Sequence, residues 1–226
     1  MNLSTAIRRA APPRAGLCFQ SGPLARFVAR CPLSCLIAAA ALALHAVAAL
    51  GVGLDGLVLS REAIGAGRLW TIFTGPLLHL SGQHLLFDVA GLLVVGYVFE
   101  PLLRRAYGVA VAVISIAVGV TFLLAYPHLP AYYGLSSLDQ GLFAAGLVAL
   151  WRRGDRRIAG TLLVMLALKW AFELSGATSL MSAVAADPTA FGMPVPLTHV
   201  AGGVAGLIVG LLSGGPARGF DRVEDH

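Results

Sequence analysis

Charge is what this chain has least of. Asp, Glu, Lys and Arg together make up 12% of its 226 residues, against 58% hydrophobic residues, and mean hydropathy is +0.82. That scarcity excludes an ordinary soluble domain, where about a quarter of residues are charged. Cysteine is scarce too. Cys18, Cys31 and Cys35 form an odd set near the N-terminus, which argues against a disulfide framework. Cys31-x-x-x-Cys35 also lacks the nearby histidine pair that a zinc site would need. Neither a metal nor a cofactor is expected. No segment of the chain repeats elsewhere, so nothing suggests the paired halves of an inverted-repeat transporter.

Long apolar runs are what is there. They cover Leu33–Leu54, Leu77–Leu103, Val109–Tyr126, Ser136–Trp151, Ile158–Leu174 and Val195–Leu212. A membrane-spanning helix needs about 20 apolar residues, with about 17 to 25 usual. The reading is an all-α membrane protein with six transmembrane helices over 33–214. A basic segment over 1–32, expected to be poorly ordered, precedes them, and a polar tail over 215–226 follows. The first run exceeds the about 7 to 15 apolar residues of a signal peptide, so it is taken as a retained helix.

The net charge of +5 invites a nucleic-acid reading, but its distribution points to the lipid bilayer. Arg8, Arg9, Arg14, Arg26 and Arg30 precede the first run. Arg104 and Arg105 follow the second, Arg152, Arg153, Arg156 and Arg157 the fourth, and Arg218 and Arg222 the sixth. With six spans all of these fall on one side, while Arg61 and Arg68 fall on the other. The positive-inside rule then places both termini in the cytoplasm. No nucleic acid is expected as a partner.

This topology gathers the rare polar residues at one depth. His84 and Asp88 lie near the outer start of the second run, Ser136 and Ser137 open the fourth, and His199 opens the sixth. Lys169 and Glu173 end the fifth run, which crosses in the opposite sense and so finishes at the same level. Polar groups at membrane depth are costly and mark functional sites. A serine at a sunken helix N-terminus has N–H groups and a dipole favourable to developing negative charge. A histidine within reach would be its base. Gly202, Gly206 and Gly210 repeat every fourth residue, as do Ser137, Gly141 and Ala145. Such faces let two helices approach closely in lipid. His84 and Asp88, four apart, share a helix face and could serve as a structural pair or as donors to an oxyanion. Lys169 and Glu173 have the spacing of a helical salt bridge. His79 and His45 are taken as structural, His45 as a satisfied buried residue.

These residues together resemble the rhomboid intramembrane serine proteases. "HLSGQHLLFD" resembles the family's H-x4-H-x3-N, "GLSS" its GxSG, and "HVAGGVAG" its H-x2-G-x3-G. The resemblance implies a six-helix bundle with an outward-facing aqueous cavity. It also implies Ser136 as nucleophile, His199 as base, and His84 and Asp88 as oxyanion-stabilising residues beside the Ser136 backbone N–H. Asp88 stands where the family has asparagine, so it would have to be protonated to donate. Ser137 stands where the family has glycine.

"LKWAFEL" and "PVPLTHVAGGVAG" are more narrowly similar to the rhombosortases. That similarity implies cleavage of exported proteins carrying a C-terminal Gly-Gly sorting tail with a transmembrane helix. The cut would fall on the outer, periplasmic side of a bacterial inner membrane. It leaves Ser137, Lys169 and Glu173 as substrate-site or structural residues. Two other classes fit parts of the pattern. One is a catalytically inactive rhomboid-like protein that binds membrane helices. The other is a proton-coupled transporter using Asp88, Lys169 and Glu173.

Overall fold

The computed structural model describes residues 22–176 and 192–213. Among these residues the secondary structure is helical, apart from a single antiparallel bridge between Leu59 and Tyr132. In chain order the helices are α1 (Pro23–Arg30), α2 (Pro32–Ala49), α3 (Arg61–Gly65), α4 (Thr71–Thr74), α5 (Gly82–Leu103), α6 (Arg105–Ala125), α7 (Ser136–Arg152), α8 (Arg156–Leu174) and α9 (Pro196–Leu212). A 3₁₀ turn, Gly75–Leu77, follows α4. By length and composition α2, α5 and α6 can each cross a membrane, and α9 is apolar but one residue shorter than α2.

The N-terminal segment corrects the expectation. Its last part is the helix α1, with Pro at the first helical position, where the missing N–H costs nothing. Phe27 stacks on Tyr97 of α5 at 5.2 Å, and Arg30 Nε donates to the Tyr97 carbonyl at 3.0 Å. Residues 1–21, with Cys18, and the tail after 213 lie outside the described residues. So does most of the loop between α8 and α9. Cys31 and Cys35 are free thiols 3.8 Å apart. His45 is half-buried, beside Gly82.

The Ala-rich α2 consists of good helix formers, but Cys31 gives it no side-chain cap. Glu100 of α5 does that job from another helix. Its Oε1 accepts from the Leu33 N–H at 2.8 Å, and its Oε2 accepts from the Ser34 N–H at 3.0 Å and the Ser34 hydroxyl at 2.7 Å. Tyr107 Oη meets Ser34 Oγ at 2.8 Å. A carboxylate at a helix N-terminus satisfies orphan donors and the dipole together. One buried side chain thereby fastens α2 to α5 and α6.

Between α5 and α6 the chain turns on Arg104, at φ +51°. Packing centres on α7, which buries Ser137, Leu138, Gly141, Leu142 and the stretch Ala144–Val148. Its 17 residues span about 25 Å at 1.5 Å per residue. A hydrocarbon core is about 30 Å thick, so α7 is short for a spanning helix. Its most extensive partner is α9, and small residues make the contact. A Cβ on Gly141 would lie 2.6 Å from the Gly202 carbonyl oxygen, and one on Gly206 would overlap the Gly141 backbone. At the far end Arg152 Nη1 and Nη2 donate to the Gly210 and Leu211 carbonyls at 3.2 and 2.6 Å, closing the C-terminus of α9.

This packing makes a prediction. Gly206→Ala should destabilise the bundle by about 1–3 kcal/mol, the usual cost of overpacking, by separating α7 from α9. Gly65 is the control, because an added Cβ there would meet nothing within 4 Å, and Gly65→Ala should leave stability unchanged. Thermal unfolding in detergent checks the pair.

Candidate active site

The N-termini of α5, α7 and α9 and the C-terminus of α8 meet at one end of the bundle. Ser136 is the first residue of α7 and His199 lies in the first turn of α9. Their side chains are joined, with Ser136 Oγ 3.0 Å from His199 Nε2. Across the ring, His199 Nδ1 lies 2.8 Å from Glu173 Oε2, and Glu173 Oε1 accepts from Lys169 Nζ at 2.8 Å. Lys169 and Glu173 thus make the expected i, i+4 pair, and Glu173 continues past it to His199. His199 and Glu173 are both buried.

The chain entering α7 is held from the side of α5. Gly134 donates its N–H to the Leu78 carbonyl at 2.9 Å, and Tyr132 donates its N–H to the Leu59 carbonyl at 3.0 Å. Asp88 Oδ2 accepts from the Leu135 N–H at 2.6 Å and lies 3.2 Å from His79 Nε2 and 3.3 Å from His84 Nε2. A backbone N–H can only donate, so this oxygen of Asp88 is an acceptor. What that oxygen does is fix the residue before Ser136. Gly134 sits at φ +97°, and a Cβ there would fall 2.5 Å from His84 Nε2 and 2.9 Å from Asp88 Oδ2. Glycine is required on both counts.

At the start of α7, the Asp139 N–H bonds back to the Leu135 carbonyl at 2.9 Å. The N–H groups of Ser136, Ser137 and Leu138 stand ahead of that bond, in the turn whose donors have no carbonyl within the helix. They leave partial positive charge at the helix end that carries Ser136.

Ser137 occupies a different environment from its neighbour. Its fully buried hydroxyl lies 2.9 Å from Tyr132 Oη and 2.9 Å from Thr198 Oγ1, and Thr198 Oγ1 donates to the Val195 carbonyl at 2.7 Å. Proton directions follow along the chain: Tyr132 donates to Ser137, Ser137 to Thr198, and Thr198 to Val195. Each hydroxyl donates once and accepts from the one before. The side chain at this position is absorbed into the α7–α9 seam beside His199.

Sequence spacing puts Ser136, His199, His84, Asp88, Lys169 and Glu173 at one level, and the structure brings them to one end of the bundle. His79, expected only to be structural, shares the Asp88 carboxylate. It precedes α5, so helical periodicity could not pair it with Asp88. Gln140 and Trp170 are further residues that spacing does not single out. Their side chains join at 2.8 Å and seat α8 against α7, with the indole over Gly203 of α9. Among the described residues no group of three His, Cys, Asp or Glu side chains has the placement of a metal site.

The family model described as Rhomboid domain matches residues 66–216, well over half of the chain and the whole of this site. No curated protein matches the chain.

The site geometry yields two contrasting variants. Ser137→Ala removes a link in a buried hydroxyl chain and should cost about 1–3 kcal/mol. Gly134→Ala should cost more, because the new methyl displaces His84 and the Asp88 carboxylate that holds Leu135. Denaturation midpoints of the two variants check the order.

Proposed function

Because the chain belongs to the rhomboid family, whose members are generally intramembrane serine proteases, we propose that it is an intramembrane serine endopeptidase with Ser136 as nucleophile and His199 as base. The observation that carries this is the 3.0 Å contact between Ser136 Oγ and His199 Nε2, made between helices that glycines bring together. Nucleophile–base pairs work at about 2.6–3.2 Å. As Ser136 Oγ attacks a peptide carbonyl, its proton passes to Nε2, and the carbonyl oxygen takes up negative charge. The N–H of Ser136 and the His84 side chain are the groups proposed to receive that charge. Asp88 serves by holding Leu135 and the imidazoles of His79 and His84 in place.

The substrate is a membrane-anchored protein. By resemblance of "LKWAFEL" and "PVPLTHVAGGVAG" to rhombosortases, it carries a C-terminal Gly-Gly sorting tail. In this reading α2, α5, α6, α7, α8 and α9 all span the inner membrane of a bacterium. Both termini are cytoplasmic and the site opens to the periplasm. The arginines at Arg104, Arg105, Arg152, Arg153, Arg156 and Arg157 support that orientation, since they cluster at the end opposite Ser136. The hydrogen-bonded accommodation of Ser137 favours an active enzyme over an inactive relative, because the extra side chain does not crowd Ser136.

The test uses a tailed substrate in proteoliposomes. Ser136→Ala and His199→Ala should each abolish cleavage and labelling by a fluorophosphonate, and the double variant should be no worse than either. A matched substrate with its Gly-Gly pair replaced should survive uncut. Cleavage by Ser136→Ala would overturn the protease assignment, whereas cleavage of the substrate lacking Gly-Gly would overturn the tail specificity alone.

A further inference from the structure

We infer that Glu173 is a positioning residue for His199, held in turn by Lys169, so that hydrolysis is carried out by a four-member relay of Lys169, Glu173, His199 and Ser136. This rests on the reading of Ser136 and His199 as nucleophile and base.

The helix that supplies Glu173 makes the case first. Along its 19 residues α8 buries only Ala159, Leu166 and Glu173. Two of these are small or apolar, and the third is a carboxylate. Burying an acidic side chain is costly unless it is paired and hydrogen-bonded. Here the carboxylate is occupied on both oxygens at 2.8 Å, by Lys169 Nζ and by His199 Nδ1. With both oxygens engaged, turning the group about its terminal bond would break both hydrogen bonds.

The tautomer follows from the same contacts. A carboxylate oxygen accepts, so the ring proton of a neutral His199 sits on Nδ1. Nε2 then carries the lone pair, and it faces Ser136 Oγ at 3.0 Å. That is the tautomer a general base needs. When Ser136 Oγ bonds to the scissile carbonyl carbon, the carbonyl π pair moves to oxygen and the hydroxyl proton moves to Nε2. His199 is then an imidazolium with its Nδ1–H directed at Glu173. When the carbon–nitrogen bond breaks, the Nε2 proton goes to the leaving amine. Water repeats the sequence, giving a proton to Nε2 as its oxygen bonds to the acyl carbon; the carbon–Oγ bond then breaks and Ser136 Oγ takes the proton back from Nε2. Glu173 keeps its charge throughout and stabilises the transient imidazolium. Lys169 neutralises Glu173 while the ring is uncharged, which makes the buried carboxylate tolerable between turnovers.

A plain structural staple between α8 and α9 would use the same hydrogen bonds, so the test must read the base itself. The full chain is assayed in detergent with a tailed transmembrane substrate. Glu173→Gln, nearly isosteric, can turn its NH₂ toward Nδ1 and select the wrong tautomer. Its kcat should fall about 10²–10⁴-fold, with KM within about two-fold. Ser136→Ala with Glu173→Gln should be no slower than Ser136→Ala alone. In ¹⁵N-histidine spectra the downfield Nδ1–H resonance of His199 should disappear in Glu173→Gln. Lys169→Met should lower fluorophosphonate labelling of Ser136 about 10-fold, and Lys169→Arg should recover most of it. Should Glu173→Gln fail to fold, the Lys169 pair decides alone, because Glu173 stays in place in both.

Wild-type kcat in Glu173→Gln, or a change confined to KM or melting temperature, would overturn the inference while an inert Ser136→Ala leaves the protease assignment standing. Unchanged labelling in Lys169→Met would overturn the four-member relay. Cleavage by Ser136→Ala would instead bring down the protease reading on which the relay rests.

Discussion

The approach of α7 to α9 is the constraint on which the site depends. In lipid there is no hydrophobic gain from pressing two apolar helices together, so contact must come from close packing. Ser137, Gly141 and Ala145 face Gly202, Gly206 and Gly210, with so little space that even a methyl on Gly141 or Gly206 would meet backbone. Only at that separation can the first residue of one helix reach a histidine in the first turn of the other. The serine hydroxyl is short, and it cannot make up for a wider gap. The two ends of the seam are then secured by polar contacts of different kinds. Near Ser136 the hydroxyls of Tyr132, Ser137 and Thr198 hand one another hydrogen bonds, and at the far end Arg152 takes the last carbonyls of α9.

Three buried carboxylates do comparable work in three places. Glu100 gathers the free N–H groups at the start of α2, Asp88 gathers the Leu135 N–H and two imidazoles, and Glu173 joins Lys169 to His199. Each connects elements far apart in sequence, and each accepts several donors where one would leave a charge undersatisfied. In a bundle with so few charged residues, these are the contacts that carry orientation. Apolar packing fixes how closely helices lie, and the carboxylates fix how they are rotated and how far they slide.

The residues legible in the sequence were those whose neighbours follow from periodicity or from topology. The small-residue faces were visible as fourth-residue repeats, and Ser136 and His199 could be set opposite one another by counting spans. His84 with Asp88 and Lys169 with Glu173 were visible as i, i+4 pairs. What escaped was the second partner of Asp88 and of Glu173, and every partner of Glu100. An i, i+4 pair looks complete on paper, yet a carboxylate has two oxygens and several lone-pair positions. The remaining contacts reach to other helices and loops: Glu173 to His199, Asp88 to Leu135 and His79, and Glu100 to Leu33 and Ser34. Those depend on helix rotation, which sequence spacing does not give. The helix α1 escaped as well, because Pro23 within the basic lead begins a helix, where its missing N–H costs nothing.

Asp88 acts on the site through the backbone. Set against an asparagine in related sequences, it invited the view that it must donate, and hence be protonated. The structure offers it a backbone N–H and two imidazole nitrogens on one oxygen, an environment made for an acceptor. Through that oxygen Asp88 holds Leu135 and meets the imidazoles of His79 and His84. The start of α7, with its N–H groups ahead of the first helical hydrogen bond, is left as the positive region facing the Ser136 hydroxyl. The carboxylate thus bears on the start of α7 at one remove from the Ser136 hydroxyl, through the Leu135 N–H it accepts.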